Sequence, residues 1–427
     1  MTPEPGGEPA ALLRALRAGE VAAVDVAGAH LRALRRAHAA TNAVAAFDDE
    51  RALADADRLD RALAAGVAPG RLHGLPVTVK DWIDEEGFPC AGASVDQLDR
   101  RPLADATVVA RLRRAGVVVL AKTVPWGPQE GAGRVRHPTD PDRSPGGSST
   151  GEAVLVADGA SPLGIGSDSG GSIRLPAAWC GVFGLKPTAG LVPTTGHFPR
   201  VGALSDGRTQ IGPLARSVDL LELVLQVIAG PDGRDAGVSP VPLRHSSEAG
   251  LVGARFAVTT GEPPWSTTPE LEDAAERAAG ALSGAGLVRT GWSAPWLGEA
   301  LDITRRYWSR AELSGRQAAD QLWDWDRFRR RYLQASEHVD LLVTPVTRHT
   351  APRHRAIVAD DFVFTLPANL TGSPAVAVPM GPGRAGMPLA VQLVGRPWED
   401  HRVLAAARLV AASGISGSSG SSGSSGA

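Results

Sequence analysis

The chain has 427 residues, 43% of them hydrophobic and 21% charged, which is the balance of an ordinary globular protein. This composition excludes disorder throughout, a collagen-like fibre and a coiled coil. Lys and Arg number 44 against 46 Asp and Glu, so the net charge is −2 and nucleic acid is not expected as a partner. The two cysteines, Cys90 and Cys180, are too few for a secreted disulfide framework.

The sequence pattern gives no sign of a membrane or export segment. No apolar stretch approaches the roughly 18–20 residues that a membrane span requires. The N-terminal residues MTPEPGGEPA are polar and rich in proline and glycine, unlike a signal peptide. We therefore expect a cytoplasmic protein that does not associate with membranes.

The first third of the chain alternates between helical and strand patterns. Apolar residues recur at helical spacing over residues 9–65. The short β-branched segment LPVTVKDW (75–82) predicts a strand. Residues 104–115 then predict a helix, and residues 117–122 predict a buried strand. This alternation is typical of α/β architecture.

Further along, regular patterns are interrupted by two segments rich in glycine, serine and proline. Residues 125–150 predict a long loop, and such loops are often functional. Residues 161–188 are also apolar, and their pattern assigns no regular structure. The remaining predicted helices span 152–159, 217–229, around 269–282 and 401–412, and the remaining predicted strands span 339–346, 375–381 and 389–395.

Residues 301–337 are unusual in carrying several aromatic residues among many charges. They include Tyr307, Trp308, Trp323 and Trp325. We expect these aromatic side chains to pack in the core, since each has a large apolar surface to bury. The alternative is that one or two of them line a substrate pocket.

The end of the chain is the low-complexity tract SGISGSSGSSGSSGA. Gly/Ser sequences of this kind behave as flexible chains, so it predicts a tail or a linker. No repeat of 20–50 residues precedes it. We therefore assign one domain to residues 1–413 and a flexible Gly/Ser-rich tail to residues 414–427.

Several common cofactor and metal motifs do not occur. GIGSDSGG (164–171) begins like a dinucleotide-binding turn, but its third glycine falls one position late and no ribose-binding acid is evident. The sequence has no GxxxxGK[ST] loop and no HExxH or paired CxxC. We predict no cofactor and no metal ion.

Lysine is rare in this chain and stands only at positions 80, 122 and 186. A buried lysine can lose its proton, whereas an arginine effectively cannot. Lys80 lies in the apolar segment VTVKDW, where it either pairs with Asp81 or another acid, or loses its proton and acts as a general base. We expect Lys122 and Lys186 to have structural roles.

Two glycine-rich segments present serines. In SPGGSSTG (144–151), glycines let the backbone form a turn that directs a serine to a site. In SDSGGSIR (167–174), successive amides without bulky side chains can converge on an oxyanion. For either segment considered alone, a purely structural turn is the favoured interpretation.

Considered together, these segments resemble the amidase signature family. The resemblance extends over roughly residues 9–412, and the spacing of Ser148 and Ser172 fits the family. The motifs that carry it are long and occur jointly. They are GLPVTVKD (74–81), GGSSTGE (146–152) and GIGSDSGGSIRLPAAWCGVFGLKPT (164–188), with DATVVARLRRAG, LLVTPV, TLPANLTGSPAVAVPMG and LAVQLVGRP around them.

The resemblance implies a role for each matching residue. Ser172 matches the nucleophile, Ser148 matches a bridging serine preceded by a cis peptide bond, and Lys80 matches the base. The residues that match the oxyanion hole are Ser169, Gly170, Gly171 and Ser172. The residues that match supporting positions are Ser149, Asp168 and Arg174.

The resemblance also implies a fold and a reaction. It implies a single large α/β domain whose mixed, twisted β-sheet is flanked by α-helices on both faces. The implied activity is hydrolysis of a small-molecule carboxylic acid amide without a cofactor. Homodimers are common in the family, so a homodimer is the expected assembly. Two alternatives stay open: a glutamine-hydrolysing A subunit of a tRNA-dependent amidotransferase, and a non-catalytic amidase-like module.

The chain departs from the family pattern at three places. Thr150 stands where glycine or serine is usual and is expected to strain the serine loop. Ser167 replaces the commoner threonine. The segment 124–137 is shorter than usual, which bears on the shape of the pocket.

Other polar residues in these segments receive structural interpretations. We expect Cys180 to be a packed apolar residue. The histidines His73, His137 and His197 are expected to make local hydrogen bonds, and none is predicted to be the base.

Overall fold

The structure, a computed structural model, describes residues 5–92, 94–126, 134–201, 206–293, 296–353 and 357–415. Within these residues the strands form one 11-stranded mixed sheet with the order β1-β3-β2-β4-β6-β5-β10-β11-β9-β7-β8. The strands are β1 (Val44–Phe47), β2 (Pro76–Lys80), β3 (Val118–Thr123), β4 (Leu163–Asp168), β5 (Phe183–Lys186), β6 (Gln210–Ala215), β7 (Arg255–Val258), β8 (Val288–Arg289), β9 (Leu341–Pro345), β10 (Ala375–Pro382) and β11 (Pro388–Gly395).

Twelve α-helices in the described residues surround this sheet. They are α1 (Pro9–Ala18), α2 (Ala23–Thr41), α3 (Asp49–Ala64), α4 (Thr107–Arg114), α5 (Thr150–Asp158), α6 (Arg174–Cys180), α7 (Val218–Ile228), α8 (Pro269–Gly284), α9 (Leu297–Trp308), α10 (Gly315–Ala335), α11 (Leu366–Thr371) and α12 (Asp400–Ile415). No helix in the described ranges is both long enough and apolar enough to span a membrane.

The sheet is covered by helices on both faces. In β9, Leu341 and Val343 belong to the large core cluster that includes α8 and α12. Leu342, between them, belongs to a second cluster that includes α9, α10 and α11. Since successive strand residues point to opposite faces, the two clusters are the two apolar layers of the sheet. The predicted mixed α/β architecture is confirmed.

Parallel pairing brings the ends of two strands together. β2 is parallel to both β3 and β4, and Val79 is paired with Ile165. Lys80 is the last residue of β2 and Asp168 is the last residue of β4. Because carboxyl ends of parallel strands lie at one edge of a sheet, the loops after these strands converge there.

Most sequence-predicted elements are found close to their expected positions. Residues 161–188, which had no assignment, contain β4, α6 and β5. The helical region 9–65 also contains the short strand β1, and β6, β7 and β8 were not predicted. The final helix ends at Ile415, and residues 416–427 of the predicted tail lie outside the described residues.

The aromatic residues of α9 and α10 do not all pack in the core. Tyr307 is buried and Trp325 is half-buried, as expected. Trp308 and Trp323 are 43% and 62% exposed, so the core prediction is wrong for these two side chains. Tyr307 and Trp308 both line the cavity described below, which is the alternative role considered for this segment.

Candidate active site

Lys80 reaches a cluster of serine hydroxyls from the end of β2. Its Nζ lies 2.7 Å from the Oγ of Ser148, 3.3 Å from that of Ser149 and 3.2 Å from that of Ser167. The face of the Trp82 ring lies 3.9 Å from the same nitrogen. Lys80 is fully buried, so its amine is surrounded by these groups and not by solvent.

The surroundings of Lys80 favour the uncharged amine. Burial lowers the pKa of Lys80 well below its usual value, although the carboxylates of Asp168 and Glu152 oppose the shift. In the described part of the chain no carboxylate lies within ion-pair distance of Nζ. The side chain of Asp81 instead accepts a hydrogen bond from the amide of Ala91 at 3.2 Å. The structure therefore does not contain an ion pair between Lys80 and Asp81, which the sequence left as the alternative.

The two serine loops are joined directly. The peptide bond between Gly147 and Ser148 is cis, as the resemblance implies. The next amide, that of Ser149, donates to the carbonyl of Ser172 at 3.0 Å. Gly146 has a φ of +79°, and a side chain there would clash with the backbone of Pro176. Glycine is therefore required where the loop passes α6.

Asp168 organises the loop between β4 and α6. Its carboxylate accepts from the amides of Gly171 at 2.7 Å and Ile173 at 3.3 Å. It also accepts from Nε and Nη2 of Arg174, at 3.0 and 3.1 Å, and from the side-chain amide of Asn369 at 2.9 Å. Burial alone would raise the pKa of Asp168, but the Arg174 guanidinium and these hydrogen bonds outweigh it and hold the pKa well below its usual range.

In the loop between β4 and α6, hydrogen bonds hold two backbone carbonyls, those of Ser169 and Gly170. The Ser169 carbonyl accepts from Nε of Arg208 at 2.8 Å, and the Gly170 carbonyl accepts from the Thr365 hydroxyl. Carbonyl and N–H point in opposite directions across a trans peptide, so these contacts orient the following amides. The amide of Gly171 already donates to Asp168. The loop amides to which no acceptor is assigned in the described residues are those of Ser169, Gly170 and Ser172.

Both serine loops open into one cavity of about 510 Å³. Ser148 and Ser172 lie in its wall together with Gly170. The wall is otherwise largely apolar and aromatic. Its apolar side chains in the described residues are Trp82, Trp126, Pro199, Val201, Tyr307, Trp308, Ile357, Val358, Ala359 and Phe362, and its charged ones are Arg200, Asp206 and Arg310.

A family model named Amidase matches residues 25–324 and 315–404 of the chain. The chain belongs to the amidase family. Members of this family hydrolyse C–N amide bonds, so this protein is an amidohydrolase. The amidase signature resemblance drawn from the sequence is thereby confirmed.

Similar proteins match the amidase over nearly its full length. The A subunit of a glutamyl-tRNA(Gln) amidotransferase from Symbiobacterium thermophilum is 32% identical, over 93% of this chain and 95% of that relative. AtzE, which is one of the subunits of 1-carboxybiuret hydrolase from a Pseudomonas species, is 31% identical, over 95% and 98%. A solved structure also superposes with a TM-score of 0.85 at 29% identity, covering 96% of this chain and 99% of that one. It is an inhibitor-bound form of a vestigial protein complex that reveals the evolutionary origins of an s-triazine catabolic enzyme.

Two departures from the family pattern are accommodated locally. The Thr150 hydroxyl donates to the carbonyl of Gly146 at 2.9 Å, and so Thr150 closes the serine loop instead of straining it. Ser167 keeps the hydroxyl that contacts Lys80. The third departure is the segment 124–137, and residues 127–133 of that segment lie outside the described residues. Trp126 of that segment packs against Gly147 and lines the cavity.

The amidase also contains a buried carboxyl that the sequence reasoning missed. Glu152, in α5, accepts from the hydroxyls of Thr78 at 2.5 Å and Thr123 at 2.7 Å. Burial raises the pKa of Glu152 to about 7. The signal for it was a glutamate immediately after GGSSTG, in an otherwise apolar helix.

Several residues that hold the catalytic loops were also missed. Arg208 and Thr365 bind carbonyls of the loop between β4 and α6, and Asn369 and Gln392 bind the side chains of Asp168 and Arg174. Three of the four lie in TLPANLTGSP or LAVQLVGRP, where a polar residue interrupts an apolar motif. A polar residue within an apolar motif was therefore the sequence feature by which these three residues could have been found.

The remaining polar residues behave mostly as expected. Nζ of Lys122 donates to the carbonyl of Ile83, and Nζ of Lys186 donates to that of Pro187 at 2.9 Å. Cys180 is buried. His137 and His197 make local hydrogen bonds, with the amide of Thr139 and the carbonyl of Pro199 respectively. Nε2 of His73 is buried and has no partner in the described part of the chain, so the expected hydrogen bond is missing there.

Replacing Asp168 with asparagine is expected to destabilise the amidase by about 3–5 kcal/mol, because it leaves the fully buried Arg174 guanidinium without its counter-ion. Urea unfolding followed by circular dichroism measures the change. The matched control is Glu276→Gln, which removes the exposed ion pair with Arg289 and should cost less than about 1 kcal/mol. Equal losses in the two variants would contradict the organising role of Asp168.

Proposed function

We propose that Ser172 is the nucleophile, that Ser148 relays its proton and that Lys80 is the base. The observation that carries this proposal is the 2.7 Å contact between the buried Lys80 amine and the Ser148 hydroxyl. A serine hydroxyl is a weak nucleophile until a neighbouring group takes its proton. Lys80 is suited to that task because burial lowers its pKa and leaves a lone pair on Nζ.

The reaction proceeds in two halves. Ser148 gives its proton to Nζ of Lys80 and takes the proton of Ser172, whose Oγ attacks the amide carbonyl carbon. The C–N bond breaks as the same relay returns a proton to the leaving nitrogen. Water, deprotonated along the same path, then hydrolyses the acyl-enzyme and releases the acid.

The negative charge that develops on the carbonyl oxygen is bound by backbone amides. We assign this role to the loop of Ser169, Gly170, Gly171 and Ser172. Removal of one such donor typically costs about 3 kcal/mol of transition-state stabilisation. The amide of Gly171 supports the loop through its bond to Asp168, so the other three are the amides best able to contact the oxyanion.

The substrate is proposed to be an amide with an apolar acyl group. The walls beside Ser172 are mainly indole, phenyl and branched aliphatic surfaces. Such walls favour groups that lose unfavourable contact with water on binding. Ammonia release by the purified chain, measured for a panel of aromatic and straight-chain apolar amides and for glutamine, tests the proposal.

The second candidate function is glutamine hydrolysis within an amidotransferase. It is favoured by the similarity to the amidotransferase relative and by Asp206 and Arg310, which line the cavity and could hold the charged end of glutamine. We expect kcat/KM for the best apolar amide to exceed that for glutamine at least tenfold. The reverse order, with activity increased by a partner protein, would favour the second candidate.

Membership of the amidase family argues against the non-catalytic module that the sequence left open. A fluorophosphonate that labels the chain only when Ser172 is present would exclude it, since labelling requires an activated serine. No labelling, together with no turnover on any amide of the panel, would support it.

The proposed assembly is a homodimer acting in the cytoplasm. Light scattering on the purified full-length chain gives its mass in solution directly. A mass of twice 44.2 kDa supports the dimer, whereas a single-chain mass contradicts it.

Replacing Trp308 with alanine is expected to lower kcat/KM for phenyl-bearing amides by about 3- to 10-fold, since an aromatic contact contributes about 0.5–1.5 kcal/mol. Trp308 lines the cavity and lies against Gly170. Steady-state kinetics with a phenyl-bearing amide and with acetamide measure the change, and acetamide should be affected less. The matched control is Trp323→Ala in α10, a more exposed indole that does not line the cavity. Equal effects of the two substitutions would contradict an aromatic substrate wall.

A further inference from the structure

His197 is a buried residue that contacts the serine cluster but has no part in the relay described above. Its Nδ1 lies 2.8 Å from the carbonyl of Pro199, and its Nε2 lies 3.0 Å from the Oγ of Ser167. A carbonyl oxygen can only accept a hydrogen bond, so Nδ1 carries the proton. Burial lowers the pKa of His197 to about 4, and the ring is therefore neutral with Nε2 as an acceptor.

This tautomer fixes the direction of the next hydrogen bond. The Ser167 hydroxyl has one proton, and the unprotonated Nε2 of His197 accepts it. The Ser167 oxygen is then an acceptor towards Nζ of Lys80, 3.2 Å away. The chain of hydrogen bonds therefore begins at Lys80 and ends at the carbonyl of Pro199.

The second neighbouring serine is held in the same way. The Ser149 hydroxyl donates to the backbone carbonyl of Ser167 at 3.2 Å. Its oxygen is thus also an acceptor towards Nζ of Lys80, at 3.3 Å. A neutral amine has two N–H bonds and one lone pair, and these two acceptors use both N–H bonds.

We propose that His197 is a positioning residue that aims the lone pair of Lys80 at Ser148. By accepting from Ser167, it prevents that hydroxyl from donating to Lys80. The lone pair is left facing the Ser148 hydroxyl, the nearest of the three at 2.7 Å. The inference rests on the proposed function, because it assigns a direction to the base of that reaction.

Removing the acceptor tests this role. In His197→Leu the Ser167 hydroxyl is free to turn and donate to the Lys80 lone pair, in competition with Ser148. We expect kcat/KM to fall about 10- to 100-fold, a part of the about 10²–10⁴ that general base catalysis contributes. His197→Gln, whose side-chain oxygen can replace Nε2 as an acceptor, should recover most of the activity.

A second substitution separates positioning from packing. In a Ser167→Ala background no hydroxyl competes for the lone pair, so adding His197→Leu should cause less than about a twofold further loss. Sites that do not interact show additive effects, so an equal loss in both backgrounds would overturn the proposal. Circular dichroism melts of all four proteins establish that each is folded when assayed.

The pH profile gives an independent readout. In the wild type the Ser167 oxygen can only accept from Lys80, which favours the ammonium form. In His197→Leu the Ser167 hydroxyl is no longer held in that orientation, so the acidic limb of kcat/KM should move to lower pH. The charged groups that face Lys80 are Asp168 and Glu152, and those that face His197, besides Lys80, are Asp206 and Asp84. All four are unchanged in these variants. A lower plateau with an unmoved limb would indicate only a structural role.

Failure of this inference is distinguishable from failure of the proposed function. If Lys80→Met keeps its activity, the proposed relay is wrong and the question of aiming its lone pair does not arise. If Lys80→Met is inactive while His197→Leu retains wild-type kcat/KM, the relay stands and the positioning role of His197 is overturned.

Discussion

Replacing Ser172 with alanine lowers kcat for amide hydrolysis by about 10⁴-fold or more, because only binding and the oxyanion-binding amides remain to accelerate the reaction. The variant keeps its fold, since Ser172 joins the neighbouring loop through its backbone carbonyl and not through its hydroxyl. Steady-state assays with the best apolar amide measure the loss. Mass spectrometry after quenching measures the acyl-enzyme, which should form only when Ser172 is present.

Ser144→Ala is the matched control for this experiment. Ser144 is another buried serine, in the loop that carries Ser148, and its hydroxyl accepts from the amide of Gly146 at 3.3 Å. It does not line the cavity, so kcat should stay within about twofold of the wild type. If Ser172→Ala retained kcat within tenfold of the wild type, the nucleophile would be another residue.

Replacing Lys80 with methionine is expected to lower kcat by about 10³-fold or more. The substitution keeps the length of the buried side chain but removes the amine, and general base catalysis typically contributes about 10²–10⁴-fold. Loss of the contact with Ser148 also disorders the relay, which adds to the effect. Single-turnover assays on the purified variant separate the chemical step from product release.

Lys122→Met is the control for removing a buried lysine. Lys122 lies in the adjacent strand β3, is equally buried and donates to the carbonyl of Ile83, outside the cavity. We expect it to lower stability, because that carbonyl loses its partner, but to leave kcat per folded molecule nearly unchanged. Equal losses of kcat in the two variants would show that Lys80 acts through stability alone.

The pH dependence of the wild type follows from the protonation state of Lys80. The base acts only as the uncharged amine, so activity is present above the pKa of Lys80 and is lost as the pH falls through it. Because burial places that pKa well below 10.5, the plateau of kcat/KM should begin well below pH 10.5. A profile that rises with a midpoint near 10.5 would contradict this account.

The parts of the fold that the sequence predicted are those with clear periodicity. The apolar spacing of ADATVVARLRRA and the apolar run VVVLAK correspond to α4 and β3 within a few residues. The same reasoning failed for β4 because packing selects glycine there. Added side chains at Gly164 and Gly166 would clash with Glu152 and Ser149, and the glycines remove the apolar alternation that marks a strand.

The residues of the active site also divide into those that the sequence predicts and those that it does not. Lys80, Ser148 and Ser172 were predictable because each lies in a contiguous motif that the family resemblance covers. Their supporting contacts were not, because they join distant parts of the chain. Arg174, for example, donates to the carbonyl of Thr365, 191 positions away. Single-sequence patterns report local spacing, whereas such contacts depend on how α6 and α11 pack together.

The central claim is that the amine of Lys80 is uncharged while the enzyme is active, and the scarcity of lysine makes it directly measurable. NMR of protein labelled with ¹³Cε-lysine should give three resonances, one for each of Lys80, Lys122 and Lys186, and the Lys80→Met variant identifies the first. We predict that the Lys80 resonance has the chemical shift of a neutral amine on the plateau of kcat/KM, and that it changes to the ammonium shift as the pH falls through the acidic limb. A resonance that keeps the ammonium shift throughout the plateau and titrates near 10.5 would contradict the claim.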